Sequence, residues 1–229
     1  MNPFYKLPIT LQWLFTLLLF SVGTMLMLGF FILTDNNLLW WLTLPVLASL
    51  FMFTTTPFMV LLGVYKYLSP MLLVFSPNKK LYDLHNGTSF DYLFLMRKVK
   101  AGSSAKKLIL KYYLEGLLQI IQEIKIGNLP DSLVISGSSY FFSERTAEKL
   151  GFSLQKADSM VYFNSAFNML DLTWMYSYAH GRFRLPNLAK IKKASISGED
   201  LLKQEAYISR LKQALSTKDE EDPKVSLST

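Results

Sequence analysis

Histidine occurs twice in the 229-residue chain, and the first of the two, His85, stands in YDLHNGTSFDY (82–92) among Asp83, Thr88, Ser89 and Asp91. A histidine whose tautomer is fixed by a carboxylate can take a proton from a nucleophile. His85 and Asp91 are the candidate catalytic pair. If Asn86-Gly87 closes a hairpin between two strands, both side chains reach one pocket, and Asp91 stabilises the charged imidazole. Read plainly, the same residues are a structural turn.

A second constellation is RKVKAGSSAKK (97–107). A glycine-containing loop ahead of a helix offers backbone amides to a phosphate, and lysines add attraction. Lys98, Lys100, Gly102, Ser103 and Ser104 are the candidate ligand-binding residues there. The spacing of a Walker loop is absent. The competing reading is a basic loop lying on anionic lipid headgroups, with Lys106 and Lys107 contributing. A third stretch, SGSSYFFSERTAEKLGF (136–152), reads as a strand end, a loop and a capped helix. Ser138 and Tyr140 are placed to line a pocket at the carboxyl ends of strands, where α/β sheets bind ligands. No histidine or acid adjoins these serines. Without cysteine there is no disulfide and no thiolate metal site, and two histidines make a zinc site an unfavoured reading.

The elements that must position these residues begin with two apolar runs. Between Lys6 and Lys66 the only charged residue is Asp35. Residues 9–33 and 38–64 each exceed the roughly 20 residues that cross a hydrocarbon core. The short link TDNN (34–37) makes them an antiparallel hairpin. Lysines 6, 66, 79 and 80 flank the hairpin on one side and the link has none, so both termini are expected in the cytoplasm, at a plasma (bacterial inner) membrane. Pro45 and Pro57 kink the second helix, and Thr54–Thr56 are placed to bond freed carbonyls.

The fold expected is therefore a membrane α-helical hairpin (1–67) plus a cytosolic α/β sandwich domain (79–217). Residues 68–78 are expected to lie along the membrane surface, and 218–229 to be a disordered acidic tail. Within the domain, FDYLFLM (90–96) reads as a strand. A helix follows over about 104–125, with Leu110, Leu114, Leu117, Ile121 and Ile124 on one face. Then come a strand (132–136), a helix from Ser143 to Gly151, a strand (152–157) and a capped helix (198–215). The apolar run 159–180 reads as a buried or membrane-touching helix.

Over residues 90–157 this succession of strand, basic glycine loop, long helix, strand, short helix, EKLGF and strand resembles the C-terminal half of GNAT-type N-acyltransferases. The resemblance implies acyl-CoA as cofactor, with the loop cradling its pyrophosphate. Setting Gly102 at the family's first glycine puts Val99 at its basic position and Ser104 at its last. Ala147 and Tyr140 stand where its tyrosine acid and its asparagine would be. The histidine and aspartate of membrane-linked glycerolipid acyltransferases lie four residues apart, against five between His85 and Asp91. Two functions are expected from all of this. The first is a non-catalytic, membrane-tethered interaction or assembly component, with a membrane-protein partner or a second copy of the chain. The second is a membrane-anchored transferase using acyl-CoA or a lipid-linked substrate. The net charge of +7 gathers beside the apolar runs and no nucleic-acid motif occurs, so the expected partner is the lipid bilayer and its anionic headgroups, not nucleic acid.

Overall fold

The computed structural model describes residues 2–34, 38–138 and 144–220. The chain opens with a 3-10 turn, Pro3–Lys6, and two long helices, α1 (Ile9–Leu33) and α2 (Leu44–Leu61). A 3-10 segment, Leu38–Thr43, leads into α2. Both helices are long and apolar enough to cross a membrane, and only 17% and 28% of their most apolar windows are covered by protein.

The two helices pack on each other. Phe20 stacks on Phe58 with ring centroids 4.6 Å apart. Gly23 is buried against Thr54, whose Oγ1 would lie 2.1 Å from any Cβ added there. Pro57 sits inside α2. The hydroxyls of Thr54, Thr55 and Thr56 donate to the carbonyls of Phe51 and Met52 in the turn before it.

A six-stranded mixed sheet follows, in the order β1-β2-β3-β4-β6-β5. Its strands are β1 (Tyr65–Ser69), β2 (Leu72–Phe75), β3 (Leu81–Asn86), β4 (Val134–Ser138), β5 (Ser153–Lys156) and β6 (Lys192–Ser197). Among the described residues β3 and β4 form the one parallel pair; every other neighbour is antiparallel. Such a pair needs a crossover, and α4 (Ser103–Lys125) supplies it. The buried Leu114, Leu117, Ile120 and Ile121 of α4 join Leu72, Val74, Tyr82 and Ile135 of the sheet in one core. On the outer side of α4 lies α9 (Glu205–Glu220), tied by ion pairs Lys125–Glu205 and Lys212–Glu115.

Three expectations are corrected. Residues 68–78 do not form a surface segment: β1 and β2 pair through a turn at Pro70, and Met71–Val74 are buried in the sheet. FDYLFLM is helical, not a strand. Thr88 and Asp91 form a reciprocal capping box that starts α3 (Ser89–Asp91), which runs on as a π-helical turn, Tyr92–Met96. The capping chemistry overrides the aromatic, strand-like composition. Asn86-Gly87 is accordingly no hairpin turn; Gly87 has no positive φ. It ends β3 and enters α3.

Elsewhere the boundaries lie close to those expected. α5 covers Glu144–Lys149, and Gly151 follows at φ 83°. The run 159–180 is two helices, α6 (Ser159–Phe167) and α7 (Met169–His180), broken at Asn168. The 198–215 helix divides at Gln204 into α8 (Gly198–Lys203) and α9, with Ser197 capping Asp200 as expected. β6 was not anticipated, because KKASIS alternates too weakly to stand out. α9 continues to Glu220; the remainder of the acidic tail, the 35–37 part of the link, Tyr140 and Ser143 lie outside the described residues.

Candidate functional site

Alternation along β3 puts Asp83 and His85 on the same face of the sheet. Their side chains meet, with His85 Nε2 3.1 Å from Asp83 Oδ2, and both remain partly exposed. Phe75 on β2 flanks them, its ring 6.0 Å from that of His85. The pairing of β3 with β4 ends at Leu84 opposite Gly137. A Cβ at Gly137 would stand 3.0 Å from the Leu84 carbonyl oxygen, so a side chain there would push the strands apart. Beyond this point, at the carboxyl ends of the parallel pair, a cavity of about 700 Å³ opens. A volume of this size is ordinary for a small-molecule site, as is its place in an α/β sheet.

The walls come from distant parts of the chain. Met52, Phe53 and Thr56 of α2 give an apolar side. Asp83, His85, Asn86, Thr88, Ser138 and Lys193 give a polar floor. Asn164 and Asn168, from α6 and the break after it, add amide groups. Three hydrogen bonds among the lining residues and Trp174 hold this part of the cavity in place. Tyr113 donates from its hydroxyl to Asn86 Oδ1 at 2.7 Å. Ser89 Oγ donates to Asp171 Oδ1 at 2.7 Å, and Trp174 Nε1 donates to Ser89 Oγ at 3.2 Å. Burial pushes the Asp171 carboxyl up from its ordinary value, against the pull of these bonds.

Asp91 does not join His85. The capping box turns it the other way, into a fully buried knot at the start of the chain. Its carboxyl accepts from Asn2 Nδ2 at 3.1 Å, from the Thr88 amide at 2.9 Å and hydroxyl at 3.1 Å, and from the Tyr67 hydroxyl at 2.7 and 2.8 Å. Burial raises the Asp91 carboxyl above the usual range, and it raises the Tyr67 phenol well above its own, helped by the Asp91 charge. Phe4, Tyr5 and Phe90 pack around the knot. Asp91 thus fastens the N-terminal turn to the sheet domain, and Asp83 takes the place beside His85 that the sequence assigned to Asp91.

The basic loop also lies apart from the cavity: none of Lys98, Lys100, Gly102, Ser103 and Ser104 lines it. Gly102 adopts φ 97° and packs on Gly181, where a Cβ would come within 3.0 Å of the Gly102 α-carbon. The Gly102 amide already donates to the Tyr178 carbonyl at 2.9 Å. The Tyr178 hydroxyl in turn donates to the carbonyls of Met96 and Val99. The end of α7 therefore occupies one of the backbone amides of this loop. Lys106, Arg182 and Arg184 add charge nearby; burial and this charge hold the His180 imidazole below its ordinary value.

Of the expected site residues, the cavity gathers His85 and Ser138. It adds Asp83, Asn86, Asn164, Asn168, Lys193 and the α2 side chains, none of which the sequence assigned to a site. The Asp83-x-His85 spacing on an expected strand was the one legible signal. Comparison with known proteins finds no matching family model, no similar curated protein and no similar solved structure.

Proposed function

We propose that the chain is a two-pass membrane protein whose cytosolic α/β domain binds a single-chain amphiphile taken from the membrane. The observation that carries this reading is the joint lining of the cavity. Met52, Phe53 and Thr56 belong to a helix apolar enough to sit in lipid, and the remaining walls carry hydroxyls, amides, the carboxyls of Asp83, Asp158 and Asp171, the Lys193 side chain and an imidazole. An acyl chain lies along α2, and a compact hydroxyl- or amine-bearing head reaches His85 and Asp83. Of the two substrate classes expected for a transferase, the lipid-linked one is favoured over acyl-CoA. The loop meant for the pyrophosphate stands away from the cavity, with its glycine amide engaged by Tyr178. His85, oriented by Asp83, is the group able to take a proton from a hydroxyl or amine of the head. The lysine asymmetry about the hairpin supports cytoplasmic termini.

The test is equilibrium binding of radiolabelled 1-oleoylglycerol and, separately, palmitoyl-CoA to the full chain in lipid nanodiscs. Saturable binding of the glycerol lipid is expected, and it is lost when Ser138→Trp fills the polar floor of the cavity. Binding of palmitoyl-CoA alone, abolished by Lys98→Glu with Lys100→Glu, would favour the acyl-CoA reading instead. No binding of either, with a stoichiometric membrane protein co-purifying, would favour the assembly role.

A further inference from the structure

Besides the hairpin, the domain carries a second exposed apolar feature. Phe163, Phe167, Leu170 and Trp174 recur at spacings of four, three and four residues across α6 and α7, and all four are exposed, Phe163 by 70%. Phe163 and Phe167 share one face of α6, and Leu170 and Trp174 share one face of α7. Between Lys156 and Arg182 the sequence has no lysine or arginine, and its acids are Asp158, which caps α6, and Asp171, which is engaged by Ser89.

The place of this stripe relative to α2 is what gives it meaning. α7 packs directly on α2. Phe163 and Asn164 share the cavity with Met52, nine residues before the end of α2. At 1.5 Å per residue that is about 14 Å along the helix, close to half of a hydrocarbon core about 30 Å thick. Leu93 and Phe94, in the turn after α3, are exposed as well. Past the end of α7 the sequence alternates Arg182, Phe183, Arg184 and Leu185, all exposed, which sets cations at headgroup level and apolar side chains below it.

We infer that α6 and α7 form a monotopic helical pair seated in the cytoplasmic leaflet beside α2, with Phe163, Phe167, Leu170 and Trp174 in the acyl region. The occupant of this apolar face is the bilayer itself. Because Phe163 and Asn164 also line the cavity, its mouth then opens sideways into lipid, and the amphiphile enters from the leaflet without crossing water. This inference rests on the reading of α1 and α2 as membrane-spanning.

The absence of cysteine from the sequence gives a clean test. Phe167→Cys, Leu18→Cys on the exposed side of α1, and Ser209→Cys on α9 are each labelled with a fluorophore in the full chain, reconstituted in phosphatidylcholine–phosphatidylglycerol vesicles. Quenching by doxyl-labelled phosphatidylcholine is compared with quenching by iodide. Position 167 is expected to lose fluorescence to the lipid quencher to an extent comparable with position 18 and to resist iodide, while position 209 does the reverse. If position 18 is quenched from lipid and position 167 is not, the hairpin spans the membrane and the inference is overturned. That holds whether position 167 answers to iodide or is shielded from both quenchers by a protein neighbour. If position 18 also fails, the membrane reading itself is at fault.

Discussion

His85 lines the cavity, whereas Asp91 is buried in the N-terminal knot with Asn2 and Tyr67. His85 faces the cavity beside Asp83, and its replacement should alter ligand affinity while leaving the fold intact. His85→Gln is predicted to weaken 1-oleoylglycerol binding by roughly 2- to 10-fold, the worth of one hydrogen bond at about 0.5–1.5 kcal/mol. Binding isotherms at equal thermal stability check this. Asp91 is the reverse case. Asp91→Ala leaves donors from Asn2, Tyr67 and Thr88 without an acceptor in a buried site. A loss on the order of 3 kcal/mol in stability is expected, since each such group costs about 1–3 kcal/mol. The pH dependence follows from the raised carboxyl. Folded, Asp91 holds its proton more tightly than it does unfolded. Its protonated form therefore contributes stability that is fully present below the ordinary carboxylate pKa. That contribution is lost as pH rises through the folded value. Thermal melts of wild type and Asp91→Asn across this range should converge in shape only if Asp91 carries no such linkage; a steeper fall with pH in the wild type is the expected result.

At the scale of elements, the packing of α1 on α2 hinges on Gly23. Small residues let membrane helices approach closely, and here the gap is filled by the Thr54 side chain. Gly23→Ala should destabilise the hairpin by about 1–3 kcal/mol, the usual cost of overpacking, and Thr54→Ala in the same chain should recover part of that loss. Sodium dodecyl sulfate titration of the folded protein would measure both. The elements also show which parts of the fold the sequence carried. Long, strongly periodic or uniformly apolar segments were legible: α1, α2 and the Leu114–Leu117–Ile121 face of α4 lie where the pattern put them. Short segments were not. FDYLFLM has the composition of a strand, but the Thr88–Asp91 box three residues apart commits the backbone to a helix before that composition can act. LSPMLLVFSP was too short to span and was assigned to the membrane surface. Its partner strand, YKYLS, starts directly after the apolar run ends at Val64 and could be recognised only through pairing. The cavity was legible at His85 and Ser138 alone, because its other walls come from α2, α6 and β6, brought together by sheet order and not by sequence proximity.

For the whole molecule, the hairpin and the sheet domain act as one body. The Asn2–Asp91–Tyr67 knot ties the N-terminus to β1 and α3, and α2 supplies a wall of the cavity. Topology is the first consequence: cysteines introduced at Asn36 and Ser209 should divide across the membrane, with only position 36 labelled by an impermeant reagent in intact cells. Labelling at 209 and not at 36 would reverse the orientation. The central claim, that an amphiphile lies between α2 and the polar floor, is tested most directly by photo-crosslinking. A monoacylglycerol carrying a diazirine at the end of its chain is irradiated with the full protein in nanodiscs, and the adducts are mapped by mass spectrometry. Adducts concentrated on Met52–Thr56 and Val161–Ser165, and competed away by excess 1-oleoylglycerol, are the predicted result. Adducts spread over exposed α1 residues such as Leu14 and Leu18, and unchanged by the competitor, would contradict it.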